Sequence, residues 1–339
     1  MQSLTIIKIY DEHNNEITNN SFYQDRDINK LNLMQTNILQ CDQKMQIDIA
    51  KPTTVLIEAT SERPKLFMKI FKQNGLKTSR YFAGHKEISD HLINKFDPNV
   101  TNIMGYQNHI LVNNSMCSFA ILEYAPYGDL FDFIDKNKNN MIYLNDTIFK
   151  RTLFLQIANG LKYLHDRKLY HFDMKLENIL ITEHFLLKLC DFDNIKIGKH
   201  TRTTPGYRPP EFLLNNNNIS TDENELTKYD IYSLGIILFI LCIGAPPHNE
   251  ERTISNKFRG YYDLIYTGNF TSYWKIIETK VQHNATLFDT DFQHLFEKMV
   301  CTPIQKRYTI TDILTNKWLN GPTYTNDELT QKFYLYFNS

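Results

Sequence analysis

His171-Phe172-Asp173-Met174-Lys175-Leu176-Glu177-Asn178, followed by Asp191-Phe192-Asp193, decides the reading of this chain. An aspartate is followed by a lysine two residues on and an asparagine five on, just before the β-type run Ile179–Ile181. A second aspartate comes eighteen residues after the first. The set holds a carboxylate that can take a proton, a cation, and an amide and a carboxylate suited to a hard divalent ion. Accident explains either stretch alone; it does not explain both in order together with the stretches below.

The 339 residues, 42% hydrophobic, suffice for two domains or lobes with buried cores. Lys+Arg number 37 and Asp+Glu 38, so the net charge is −1. No basic field points to nucleic acid and no acidic excess to a solvating tail. Cys41, Cys117, Cys190, Cys242 and Cys301 form no CxxC pair. They are expected to be reduced thiols of an intracellular protein, cytoplasmic by default with the nucleus open, rather than a zinc or disulfide framework. Met1–Tyr10 shows no secretory core. The most apolar run, Ile231–Ile243, is shorter than a bilayer needs and reads as a buried helix, so no membrane is expected.

Residues 1–40 carry no motif and read as an N-terminal extension, with a hairpin as its expected form. Residues 41–124 are strand-like, with β-type runs at Val55–Ala59, Leu66–Phe71 and Ser118–Tyr124. Between Arg80 and Phe96 apolar residues recur at Ile88, Leu92 and Phe96, which is helical spacing. Residues 125–322 turn helical: Leu130–Ile134, Ile148–His165, Tyr229–Ile243, Phe292–Met299 and Ile310–Leu319. Residues 323–339 form a tail, with a short helix carrying Phe333, Tyr334 and Tyr336. The fold class is therefore α+β, a small β-rich half before a large α-rich half that holds both opening motifs.

Over about residues 45–320 the chain resembles the eukaryotic protein kinases. The two opening stretches resemble the catalytic loop H-R-D-x-x-x-x-N and the metal-binding D-F-G. Lys69 in Phe67-Met68-Lys69-Ile70 resembles the β-strand lysine, and Glu87 eighteen residues on is its implied ion-pair partner. Asp97-Pro98-Asn99-Val100 resembles H-P-N-[IV], and Leu122-Glu123-Tyr124-Ala125 the hinge with Leu122 as gatekeeper. Gly128-Asp129-Leu130-Phe131 resembles the stretch that places an aspartate near the ribose, although a helix cap explains Asp129 as well. Thr204-Pro205-Gly206-Tyr207-Arg208-Pro209-Pro210-Glu211 resembles the end of the activation segment. Asp230, in Tyr229-Asp230-Ile231-Tyr232-Ser233-Leu234-Gly235, is implied to bind the catalytic-loop backbone, and Arg307 to pair with Glu211.

The resemblance implies a bilobal fold whose cleft takes ATP and Mg²⁺ and acts on a protein substrate, in a monomer. Asp173 would be the base, and Lys175, Lys69 and Glu87 complete the catalytic set. Val55, Lys69, Glu123, Ala125, Asp129 and Leu180 would hold nucleotide, and Asn178 and Asp191 the metal. Lys175 follows the serine/threonine pattern, and Leu176-Glu177-Asn178-Ile179-Leu180 resembles calmodulin-dependent and related serine/threonine kinases.

Four departures stand out. The glycine-rich loop is absent: with Val55 as anchor, Asp48, Ala50 and Thr53 occupy the glycine positions, and Pro52 removes an N–H. Phe67 stands where an alanine roofs the adenine; its ring either fills the pocket or turns into the core. Asp193 replaces the glycine of D-F-G and either joins Mg²⁺ binding or competes with it. Phe172 replaces the arginine of H-R-D, so phosphorylation at Thr201 or Thr203 has less to pair with. An active serine/threonine kinase is the leading expectation, because the charged groups survive; a pseudokinase scaffold is the alternative, because the phosphate loop does not. A small-molecule kinase is disfavoured by the Pro-Pro-Glu segment.

Overall fold

A computed structural model describes residues 7–9, 38–41, 53–57, 66–72, 80–92, 96–112, 115–137, 142–195, 203–214, 220, 222–248, 260–280 and 289–337. The chain divides into two compact units. One takes in residues 1–97, 101–124 and 191–197; the other takes in 98–100, 125–190 and 198–339.

Among the described residues the first unit is a sheet with one α-helix. Its strands are β1 (Ile7–Ile9), β2 (Ile38–Cys41), β3 (Thr53–Ile57), β4 (Leu66–Lys72), β5 (Ile103–Val112) and β6 (Ser115–Glu123), in the order β1-β2-β5-β6-β4-β3. Along β4 the period of two is clean. Met68 and Ile70 are buried on one face, while Phe67, Lys69 and Phe71 share the other. Phe71 is covered by Phe82 and His85 of helix α1 (Arg80–Leu92), at ring distances of 5.7 and 5.1 Å. The helix stops at Leu92, so Phe96 lies beyond it and is exposed, against the spacing-based expectation.

The expected hairpin of the extension is an antiparallel β1–β2 pair, but its strands are far apart in sequence and β2 lies parallel to β5. The extension thus lengthens the sheet. Strand β5 was not legible: Gly105, Gln107, Asn108 and His109 break its apolar alternation, and its pairing with β6 shifts register twice.

The second unit is helical: α2 (Leu130–Lys136), α3 (Thr147–His165), α4 (Pro210–Leu214), α5 (Glu223–Ile243), α6 (Gly260–Thr267), α7 (Phe270–Lys280), α8 (Thr290–Val300), α9 (Ile310–Leu314) and α10 (Asn326–Phe337), with a small pair β7 (Ile179–Ile181) and β8 (Leu187–Leu189). Helix α5 is longer than its apolar run suggested. Its part Glu225–Ile243 has the length and apolarity to cross a bilayer, but 83% of it is buried in the unit's own core. Gly235 lets α8 approach, since a Cβ there would lie 2.8 Å from Val300 and 3.0 Å from Met299. Helices α6 and α7 escaped the sequence reading, and α9 is shorter than expected.

The tail forms α10. Its Phe333 stacks on Phe185 at 5.0 Å, and Tyr336 donates to the Asp146 carboxylate at 2.8 Å. Arg307, fully buried, donates to Glu211 at 2.7 Å, the pair the motifs implied.

Candidate active site

In the helical unit the loop 171–178 is held from beneath by one buried carboxylate. Asp230 Oδ2 accepts from the His171 N–H at 2.9 Å and Oδ1 from the Phe172 N–H at 2.7 Å, and His165 Nε2 lies 2.9 Å from Oδ2. These bonds satisfy backbone donors that the tight turn strands. They also hold Phe172 at φ 61°, a left-handed conformation uncommon for an aromatic residue. The Phe172 ring packs against Tyr170 and Tyr229, so an aromatic cluster stands where the family pattern has an arginine. His171 Nε2 donates to the Cys190 carbonyl at 2.8 Å, which leaves Nδ1 to accept from the Asp173 N–H at 3.3 Å.

Upon this base the reactive side chains converge. Lys175 Nζ donates to Asp173 Oδ2 at 2.8 Å and to Thr204 Oγ1 at 2.9 Å. Asp173 Oδ1 accepts from the Thr204 N–H at 2.9 Å and its hydroxyl at 2.7 Å. Asn178 Nδ2 donates to the Asp173 carbonyl at 2.8 Å. Asp173, Lys175 and Asn178 thus meet as their spacing predicts, and Thr204 joins them. Thr204 has no role legible in the sequence, because its partner stands 31 residues upstream.

The first unit holds Lys69, Glu87 and Asp191. Lys69 Nζ donates to Asp191 Oδ1 at 2.5 Å and Asp193 Oδ1 at 2.9 Å. Among the described residues these are its carboxylate partners, so the implied Lys69–Glu87 pair is not formed. The face of α1 turned to the cluster carries His85 instead, fully buried, with Nδ1 3.5 Å from Asp193 Oδ1. Two positions separate His85 from Glu87, about 200° around a helix, so both cannot point the same way. Burial works to lower the Lys69 pKa, but the charges of Asp191 and Asp193 outweigh it and hold the ammonium charged. Burial, with the like charge of Asp191, pushes the Asp193 carboxyl up to about 7 against the pull of Lys69. Asp191 itself sits at φ 65°, a left-handed conformation that aspartate tolerates better than most residues.

The expected nucleotide contacts divide between the units. Phe67 lies on the Lys69 face, half-buried, and leans on Tyr124 at 5.2 Å. Val55 pairs with Met68 in the β3–β4 ladder. Glu123 Oε1 accepts from the Asn102 N–H at 2.6 Å, and the Glu123 N–H donates back to Asn102 at 3.2 Å, which ties the end of β6 to the start of β5. In the second unit the Ala125 carbonyl accepts from the Gly128 N–H at 3.3 Å, closing the turn before α2. Asp129 caps α2 by accepting from the Asp132 N–H at 2.8 Å, and burial raises its pKa. It also bridges to Leu180 on β7. Asp48, Ala50, Pro52, Lys199, Thr201 and Arg202 lie outside the described residues.

A sequence model of the protein kinase domain matches residues 52–319. The chain is similar to an SNF-related serine/threonine-protein kinase of Rattus norvegicus, 37% identical over 210 residues, covering 60% of this chain and 24% of that protein. It is similar to the ovarian-specific serine/threonine-protein kinase Lok of Drosophila melanogaster, 30% identical over 278 residues, covering 78% of this chain and 53% of that one. It is also similar to CBL-interacting serine/threonine-protein kinase 12 of Arabidopsis thaliana, 28% identical over 209 residues, covering 59% and 37%. The chain thus spans roughly a quarter to a half of the length of these relatives.

Proposed function

We propose that this chain, which belongs to the protein kinase domain family and is of serine/threonine type, transfers the γ-phosphoryl group of ATP to a serine or threonine hydroxyl of a protein. The observation that carries this reading is the Asp173–Lys175–Thr204–Asn178 cluster. Asp173 is oriented through both carboxylate oxygens, which fixes the group that would accept the attacking hydroxyl's proton. Lys175 is placed beside it as the cation for the moving phosphoryl group. The substrate oxygen forms its bond to phosphorus as the bond to the β-phosphate oxygen of ATP breaks. ADP leaves with the electron pair, and the hydroxyl proton passes to Asp173.

The donor chemistry fits Mg²⁺. Asn178 spends its Nδ2 on the Asp173 carbonyl, which leaves the amide oxygen to ligate, and Asp191 supplies a carboxylate. When bound, the ion would neutralise charge on the phosphates. Lys69 serves the α- and β-phosphates once they displace Asp191 and Asp193 from its ammonium.

A protein substrate suits a cavity of about 520 Å³ in the helical unit, beside the segment that carries Thr204. Phe131, Ile134, Leu176, Pro205, Tyr207 and Ile236 line it, an apolar surface for a side chain rather than for a sugar or small acid. A second reading, a scaffold without turnover, draws on one specific observation: Asp193 holds the lysine that should meet the nucleotide.

Transfer of labelled γ-phosphate to a generic protein substrate, with Asp173→Asn as control, tests the first reading. The substitution is expected to cut transfer by about 10²–10⁴-fold while Mg-ATP still raises the melting temperature. A melting shift with no transfer by the wild type decides for the scaffold.

A further inference from the structure

We propose that His85, Asp191 and Asp193 form a binding site for a divalent transition metal, Zn²⁺ in preference to Mg²⁺, in which the metal takes the place of the Lys69 ammonium. One ligand atom from each of the three residues lies within 4.8 Å of the other two. His85 Nδ1 and Asp193 Oδ1, at 3.5 Å, already stand at the separation of two ligands on one tetrahedral zinc, about 3.4 Å for bonds of ~2.1 Å.

The chemistry selects the ion. Mg²⁺ takes oxygen donors in a near-ideal octahedron, whereas an imidazole nitrogen with two carboxylates suits zinc and leaves a fourth position open. The charge balance also favours a dication. Two carboxylates share the Lys69 ammonium, and a dication matches a pair of carboxylates in charge as a single ammonium does not.

The surroundings hold the imidazole still. Its ring lies between Phe71 at 5.1 Å and Phe192 at 6.0 Å. Gly84 brings α1 against the segment of the two aspartates, since a Cβ there would fall 1.9 Å from the Phe192 carbonyl oxygen. An apolar shell and a fixed ligand both strengthen a metal site. The third ligand exists because Asp193 stands where the D-F-G motif has glycine.

The inference does not rest on phosphoryl transfer, and its test reads metal rather than activity. The full chain is treated with EDTA, dialysed, and titrated calorimetrically with Zn²⁺ in a millimolar excess of Mg²⁺. Saturable binding of one equivalent is expected. His85→Phe keeps the aromatic packing and Asp193→Gly restores the motif glycine; each is expected to weaken binding at least about tenfold. Lys69→Met removes the competing ammonium and is expected to tighten it. Melting curves of the metal-free variants identify any that fail to fold, and Asp193→Gly, the less buried change, then decides. The absence of saturable binding in the Mg²⁺ excess, or affinity unchanged in the folded variants, overturns the proposal.

Discussion

The helical unit and the sheet unit treat their charged residues in opposite ways. In the helical unit two motif side chains meet the partners the resemblance implies, Asp230 the loop backbone and Glu211 the buried Arg307, while Lys175 is held beside Asp173. In the sheet unit the lysine that should meet Glu87 is held by Asp191 and Asp193. The difference shows that a motif lysine reports position and not partner. Where several carboxylates compete for one ammonium, the nearest and least solvated win. On the proposed function, Asp173 is already oriented for its role, whereas Lys69 must change partners to meet a phosphate.

The contrast breaks most readily at Arg307. Arg307→Ala strands the Glu211 carboxylate in a mostly buried position and should cost about 3–5 kcal/mol by chemical denaturation. A cost near zero would mean that the helical unit is less interlocked than its bonds suggest.

Next in size comes the acid response of the same unit. Burial lowers the His248 pKa from 6.5 to about 3. Because the folded value lies below the unfolded one, stability is full above 6.5 and falls as pH drops from there toward 3. A loss of about 2 kcal/mol is expected between pH 7 and pH 5, and His248→Gln should flatten the profile.

A smaller effect probes the sheet unit. Asp193→Gly frees Lys69 from one carboxylate and should tighten Mg-ATP about tenfold, ~1.4 kcal/mol, in a metal-controlled titration. Weaker binding would show that Asp193 assists the nucleotide.

The smallest effect concerns the activation segment. With the Phe172 ring packed on Tyr170 and Tyr229, the loop position that carries an arginine in the motif offers no cation to a phosphate. Phosphatase treatment is expected to change transfer less than about twofold.

Much of the helical unit was legible because its signals are local. Asp173, Lys175 and Asn178 stand within six residues, and their chemistry is set by a single turn. Helix α3 shows its period over five turns, and β7 lies where its Ile-Leu-Ile run places it. The sheet unit was harder. Strand β5 hides behind two register shifts, and β2 joins the sheet through a parallel pairing that no local pattern encodes. His85 is a lone histidine on an amphipathic helix, and its neighbour Asp193 stands more than a hundred residues away.

From its sequence alone the chain declared its family, its division into a β-rich and an α-rich half, and the close-set Asp173, Lys175 and Asn178 of one loop. Spacing within a turn or strand constrains those directly. Tertiary structure alone decided the partners of Lys69, the face on which Phe67 lies, the role of Thr204 and the meeting of His85 with two aspartates. Each depends on which distant groups share a buried space, where charge and packing are settled by proximity in three dimensions rather than along the chain.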